Sequence, residues 1–455
     1  MNAKLGLYGA NFFLFLFLLT PPAALLARSL TLEESMLLAE QKAYEVKHSE
    51  ATLETAQAQE GQSWSYLGPR VVAEGNALWL TGSKLVGTKR TSGEEVPNQV
   101  LTGSIGIVQP LIGLAAIIMK VKADILATQV TEIALEQSKR NSRFKAAELY
   151  IQLQKAQHLL NVSKQSLHVV QKQFSDAKVM HRVGKISRVD VLRFESAFNE
   201  SRSNYTQAQI ATQMAQVALA ELLGLSREEN FQVKDLTQSH WEEQKKKLPE
   251  THSVLEISQK NNSAIISNQK KKEVADYYKL AAELDYTPTL NFIAKIERDF
   301  KAKDMFDKNN NLIYRKADVQ DKISYGFNLQ WTLWDWGARN HKIDETRVAV
   351  KKLDVAIEES QSQLRVAVSQ AILQLQQSLE VLSPALTQVQ LAEEVFKLTK
   401  LKFDNGSAST TDLILAERDQ TGARGNLANV RGNLDIAWFQ LQKVMGIKPS
   451  VKGQE

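Results

Sequence analysis

The chain has 455 residues, a formal net charge of +5, 24% charged and 43% hydrophobic residues, and no cysteine. That composition is ample for a folded protein and excludes a disulfide framework, a thiolate metal site, a cysteine nucleophile and a lipid-modified cysteine. Its histidines never stand three or four residues apart, so local metal-ligand spacing is absent, and the mild positive balance gives no reason to expect nucleic acid as a partner.

Residues 1–27 read as a secretory signal peptide. Lys4 supplies the positive n-region, Phe12 to Leu19 the apolar h-region, and Pro21 and Pro22 end any helix before cleavage after Ala27. The apolar run is too short for the ~20 residues that cross a bilayer. Beyond it, no stretch approaches the length of a transmembrane helix. The expectation is an exported protein, either soluble or a β-barrel of an outer membrane, whose signal per strand is weak.

Thr31 and Glu34 form a capping box that opens a helix over 32–62. A first strand at about 70–80 alternates poorly. A second at 100–109 sets Leu101, Ile105 and Ile107 against Thr102, Ser104 and Gly106. Residues 114–182 hold neither proline nor glycine, which predicts a helix about 100 Å long at ~1.5 Å per residue. A turn at Gly184 then leads into a returning helix, 188–223.

After a linker, 225–249, the same order recurs. A helix over 250–285 precedes strands at 289–298 and 322–332, which flank a polar loop at 301–320. In the last strand Ile323, Tyr325, Phe327, Leu329 and Trp331 face one side and Lys322, Ser324, Asn328 and Gln330 the other. A second long helix, 338–404, is interrupted only by Pro384. Val368, Ile372, Leu375, Leu379, Leu382, Leu386 and Val389 recur in it at coiled-coil spacing. Gly406 opens the second turn, followed by a returning helix, 410–445, and a tail, 447–455.

Displacing the chain by 222 residues places Gly184 on Gly406, Ser187 on Ser409, Asp190 on Asp412, Arg202 on Arg424 and Gly224 on Gly446. The chain is therefore read as a tandem duplication, with repeat 1 at 28–224 and repeat 2 at 250–446. Matching lengths predict that 188–223 and 250–285 stack end to end beside one long helix. By the same logic the C-terminal and N-terminal helices stack on each other.

Two readings compete for the four strands. They form a small soluble sheet packed on helices, or their apolar face meets lipid and their polar face lines water. Four strands cannot close a barrel, and an open edge is forbidden in lipid, so insertion demands several chains; three would give 12 strands.

The pattern resembles the TolC family of outer-membrane efflux proteins over about residues 30–446. The segments that carry it are Leu30 to Glu34, Gln109-Pro110-Leu111, Trp331 to Gly337, and the paired turns Gly184 to Asp190 and Gly406 to Asp412. The resemblance implies a fold that is mainly α with a small β part. Duplicated antiparallel coiled-coil hairpins would carry four strands per chain into a homotrimeric 12-stranded barrel. It further implies a non-catalytic duct without cofactors, set in outer-membrane lipid with a long periplasmic extension. The duct would dock on a periplasmic adaptor that couples it to an inner-membrane transporter.

Gly184 and Gly406 suit the sharp reversal of a long helix. Asp190 and Asp412 read either as helix caps or, by the resemblance, as acids at the periplasmic aperture; Leu415 stands where the family pattern carries a further acid. Pro110, Trp331, Trp334, Trp336 and Gly337 mark the strand–helix junction. The tryptophans there read as an interfacial girdle or as a plug between strand and helix. The rival functions are a periplasmic coiled-coil adaptor or scaffold without a barrel, and an exported hydrolase, for which long amphipathic helices offer no catalytic constellation.

Overall fold

Two helices set the length of the molecule, and everything else is arranged along them. The computed structural model describes residues 28–79, 99–225, 231–234, 250–300, 305–306, 312–314 and 321–449. The expected signal peptide, residues 80–98, most of the expected linker at 225–249 and of the expected loop at 301–320, and most of the C-terminal tail lie outside the described residues.

The elements are β1 (Arg28–Leu30), α1 (Leu32–Lys42), α2 (Tyr44–Ser65), β2 (Arg70–Trp79), β3 (Gln99–Ile112), α3 (Leu114–Arg182), α4 (Arg188–Leu223) and β4 (Phe231–Val233). They continue with α5 (Thr251–Asn261), α6 (Ser263–Leu284), β5 (Thr289–Asp299), β6 (Met305–Phe306), β7 (Leu312–Tyr314), β8 (Asp321–Gln330), α7 (Ala338–Asp404) and α8 (Thr410–Val444). The chain is mainly helical. The long helices α3 and α7 have 69 and 67 residues, and Pro384 lies inside α7 without ending it.

Four of the strands form an antiparallel sheet in the order β2–β3–β5–β8, and β6 pairs with β7. The helices repeat the order of the four-stranded sheet. Beside the sheet, α2 lies against α3, α3 against α6, and α6 against α7; towards the far end, α4 lies against α3, α3 against α8, and α8 against α7. Each layer is thus an open array, with α7 and β8 on one flank and α2, α4 and β2 on the other.

Four expectations need correction. The helix expected over 32–62 is two helices that meet at Ala43, where ψ is 135°. The one expected over 250–285 breaks in the same way at Asn262, with ψ 109°. The Asn262 side chain accepts a bond from the Ile265 N–H at 3.0 Å, a capping arrangement that asparagine favours. Ala43 carries no such signal. It is buried with Val46 and Leu135, and Leu222 of α4 packs against them.

The stacking also differs. Each returning helix abuts the break in its own repeat. A Cβ on Gly224 would meet Lys42 at 3.4 Å, and one on Gly446 would meet the Asn261 carbonyl oxygen at 2.7 Å. Length matching could not separate the two pairings, because the four short segments are nearly interchangeable in length.

Third, β8 ends at Gln330, so Trp331 and Thr332 have already left the strand. Fourth, Pro110 lies within β3, which runs on to Ile112 with a register shift between Pro110 and Ile112. Proline has no N–H to give the ladder, and a bulge tolerates that loss. The residue that turns strand into helix is Gly113, at φ 92°.

The core is a belt at the level of these breaks. Leu30, Met36, Tyr150, Leu219, Leu223 and Phe231 form one cluster, and Val254, Ile265, Val368, Leu375, Leu434 and Leu441 form another. In the first, β1 pairs in parallel with β4, a strand inside the segment expected to be linker. The Tyr150 hydroxyl stands 3.0 Å from the Leu30 carbonyl and 2.7 Å from that of Lys234, so one proton serves both ends of the clasp. In the coiled-coil seam of α7, Val368, Leu375 and Leu379 are buried, and Ile372 and Leu382 are half-buried. Past Pro384 the buried residue is Ala385, and Leu386 is exposed.

Candidate functional site

Three places carry the sequence-predicted site residues: the sheet, its junction with the helices, and the distant turns. The sheet is built from alternation. In register, Val71, Ile107, Ala294 and Tyr325 share one face; Ala73, Ile105, Ile296 and Ile323 follow on the same face, as do Phe292 and Phe327. The Phe292 and Phe327 rings stand 5.7 Å apart across the strands. The opposite face carries Arg70, Glu74, Asn76, Ser104, Lys295 and Asn328, together with a few apolar residues such as Val72 and Ile293.

None of the described residues covers the apolar face. Tyr325 is 81% exposed, Ile323 71% and Phe327 69%. Soluble monomers rarely expose a contiguous apolar face of this extent. No helix of the described residues is long and apolar enough to cross a membrane.

At the junction, Trp334 and Trp336 meet edge to face at 5.9 Å, and Trp336 takes a positive φ of 56° beside Gly337 at 85°. The Trp331 indole N–H donates to the Tyr286 carbonyl at 3.3 Å. Asp335 fastens the turn. It accepts from the Gly337 N–H at 3.1 Å and from the Arg339 guanidinium at 2.6 Å, and Arg339 lies over the Tyr286 ring. The Arg339 hydrogen bond, opposed by some desolvation, holds the Asp335 carboxyl below the usual carboxylate range. All three tryptophans are exposed, so they do not plug the space between strand and helix within one chain. Sequence reasoning missed Asp335 and Arg339. Their spacing of four residues at a helix start was the available signal.

The junction also refines the repeat. Gly184 and Gly406 stand 222 residues apart, whereas Gly113 and Gly337 stand 224 apart, matching an α7 two residues shorter than α3.

At the far end, Gly184 and Gly406 both adopt φ 74°. Lys185 N–H donates to the Met180 carbonyl at 2.8 Å and Ser407 N–H to that of Lys402 at 2.7 Å, closing each long helix on a left-handed residue. Asp190 and Asp412 each complete a capping box with Ser187 and Ser409. Hydrogen bonds from those serine hydroxyls are the main reason both carboxyls sit below their ordinary pKa. The capping role is therefore real, and it keeps both acids ionised.

The two turns are tied together. Arg193 donates to the Thr411 hydroxyl at 2.8 Å, Arg418 pairs with Glu200 at 2.6 Å, and Ala177, Phe194 and Leu413 form a small buried cluster between them. Deeper, Glu417 is buried and accepts from Ser166 at 2.6 Å and Thr421 at 2.8 Å. Nothing in the sequence sets Glu417 apart from the other acids of the long helices.

Among the described residues, no group of three acid or histidine side chains could hold a metal ion. Comparison with known proteins bears on these surfaces. The family described as "Outer membrane efflux protein" matches residues 37–225 and 254–447. No curated protein sequence matches the chain. Among solved structures, the CmeC outer membrane channel of Campylobacter jejuni is similar at 14% identity and TM-score 0.75, covering 91% of this chain and 85% of that one. The outer membrane protein VceC of Vibrio cholerae gives 16% identity and TM-score 0.70, covering 91% and 96%. The open state of the Neisseria gonorrhoeae MtrE outer membrane channel gives 16% and 0.69, covering 92% and 89%. At these identities the structural likeness speaks for the fold.

Proposed function

The chain belongs to the outer membrane efflux protein family, the TolC family that its sequence resembles, and we propose that three copies of it assemble into one continuous duct. The family consists of non-catalytic channels, so no reaction is assigned to it. In this reading the three sheets join β8 of one copy to β2 of the next, giving 12 strands with the apolar face towards outer-membrane lipid. The helical layers close in the same sense, α7 of one copy against α2 and α4 of the next.

The observation that carries the proposal is the coincidence of an uncovered apolar sheet face with open flanks running from sheet to turns. Lipid forbids unpaired strand edges, and closure removes them. Tryptophans 331, 334 and 336 then form the periplasmic girdle. Gly184 and Gly406 place the turns at the inner end, where three copies of ionised Asp412, with Asp190 nearby, ring the aperture and favour cations. An adaptor docks there and couples the duct to an inner-membrane transporter, serving efflux or type I secretion.

The rival, a soluble adaptor or scaffold, leaves the exposed Tyr325, Phe327 and Trp336 without a covering. Electron microscopy of the mature protein in detergent, classified without imposed symmetry, decides between them. The expected particle is a hollow three-fold cylinder more than ~100 Å long with a detergent belt at one end. A monomer or a rod without detergent overturns the proposal.

A further inference from the structure

A cavity of about 520 Å³ opens where the polar face of the sheet meets the helical layer. That volume lies within the range of small-molecule sites, roughly 300–1,000 Å³. The sheet contributes Arg70 at the start of β2, Val108 and Pro110 from β3, and Asn291 from β5. Helix α3 contributes Ile117, Lys120, Val121 and Asp124, which share one face at helical spacing. Ser63, Tyr66 and Tyr278 close it from α2 and α6.

Its polar groups divide into two kinds. Asp124 is committed within the chain. One carboxylate oxygen accepts from the Tyr278 hydroxyl at 2.5 Å and the other from the Ser63 hydroxyl. Burial first, and then the bond to Asp124, push the Tyr278 phenol up to about 12, so it remains a fixed donor. The two cations are uncommitted. Among the described residues, neither Arg70 nor Lys120 has an acidic partner within salt-bridge distance, although Asp124 lines the same cavity. Beside them Val108, Pro110, Ile117 and Val121 make an apolar wall.

We propose that this cavity is a contact site for amphipathic organic anions in transit. Their apolar body would rest on Val108, Pro110, Ile117 and Val121, and their acid group would lie between Arg70 and Lys120. The proposal rests on the duct reading, which turns the polar face of the sheet towards the lumen and gives three such sites per trimer. A site on a conducting path has to bind weakly enough to release, and an open cavity with only two charged contacts suits that demand.

The probe is naphthalene-2-sulfonate, titrated against the full-length mature protein in lipid nanodiscs and compared with 2-naphthalenemethanol and 2-naphthylmethylammonium. Trimer formation and single-channel conductance are recorded on the same preparations. The sulfonate is expected to bind at least tenfold more tightly than either analogue. The double variant Arg70→Gln with Lys120→Gln should lose at least tenfold in sulfonate affinity while remaining a conducting trimer. If conducting trimers bind all three probes alike, or the double variant binds the sulfonate as the parent does, the site is overturned and the duct stands. If the parent forms no conducting trimer, the duct reading and this site fall together.

Discussion

The belt at the middle of the molecule and the sheet at its end use the same kinds of residues with opposite outcomes. Leu30, Tyr150, Leu219 and Leu434 are fully buried at the belt, whereas Ile323, Tyr325, Phe327 and Leu329 on β8 stand largely exposed. Both regions follow their proper periodicity, 3.6 in the helices and 2 in the strands. At the belt the covering side chains come from the same chain, through β4, α4 and α8. At the sheet none of the described residues covers the apolar face. Periodicity therefore says which side of an element wants to leave water, and a second observation has to say what receives it.

The sharpest way to break this comparison uses neighbouring residues on β8. Phe327→Arg places a charge on the apolar face, at a cost of about 2–4 kcal/mol in each copy near a bilayer midplane. Asn328→Arg places the same charge on the polar face. The first should abolish the membrane-inserted trimer and the second should preserve it, as read by membrane fractionation and native electrophoresis. Equal behaviour would end the two-faced reading.

At the belt, Leu434→Ala should cost about 2–5 kcal/mol, because a fully enclosed side chain leaves a cavity. Leu415→Ala, near the turn and 46% exposed, should stay within about 0.5 kcal/mol. Thermal unfolding of the two variants compares them directly. A similar loss from both would mean that an interface between copies covers Leu415.

Asp435 tests the belt in another way. It is buried, one of its carboxylate oxygens has no hydrogen-bond partner among the described residues, and desolvation pushes its pKa up to about 8. A raised folded pKa means that the stability it permits is greatest in acid and is lost as pH rises towards about 8. Asp435→Asn removes that dependence. Its unfolding free energy, read by denaturant titration, should exceed the parent's by a margin that grows from pH 5 to pH 8, reaching on the order of a few kcal/mol. A margin independent of pH would show that the carboxyl is paired in the assembled protein.

The smallest effect is expected at the turns. Ser409→Ala removes the hydroxyl that caps α8 and should cost about 1 kcal/mol, with Ser187→Ala matching it at α4. Chemical denaturation of the two variants compares them. A much larger loss at Ser409 alone would mark the second turn as the more heavily used.

Much of this was legible beforehand. The absence of proline and glycine over 114–182 marks one long helix, and Gly184-x-x-Ser187-x-x-Asp190 with its copy 222 residues later marks the two turns. The alternation over 322–330 marks a two-faced strand. The breaks at Ala43 and Asn262, the true junction at Gly113 and the strand within the linker were not legible. The break at Ala43 carries no glycine, proline or capping side chain, and three residues of β4 are too few to show a period.

The features that follow from sequence are local. Helix length, the left-handed turn residues, the capping boxes and the faces of the strands all follow from propensity and spacing within a few residues. Which returning helix abuts which break is set by long-range packing. The same holds for the β1–β4 clasp under Tyr150, for the burial of Glu417 among serine and threonine hydroxyls, and for the parallel order of sheet and helical layers. Those outcomes depend on contacts between segments tens to hundreds of residues apart. There the deciding term is how well surfaces fit and which polar groups find partners, and no single stretch of chain encodes that.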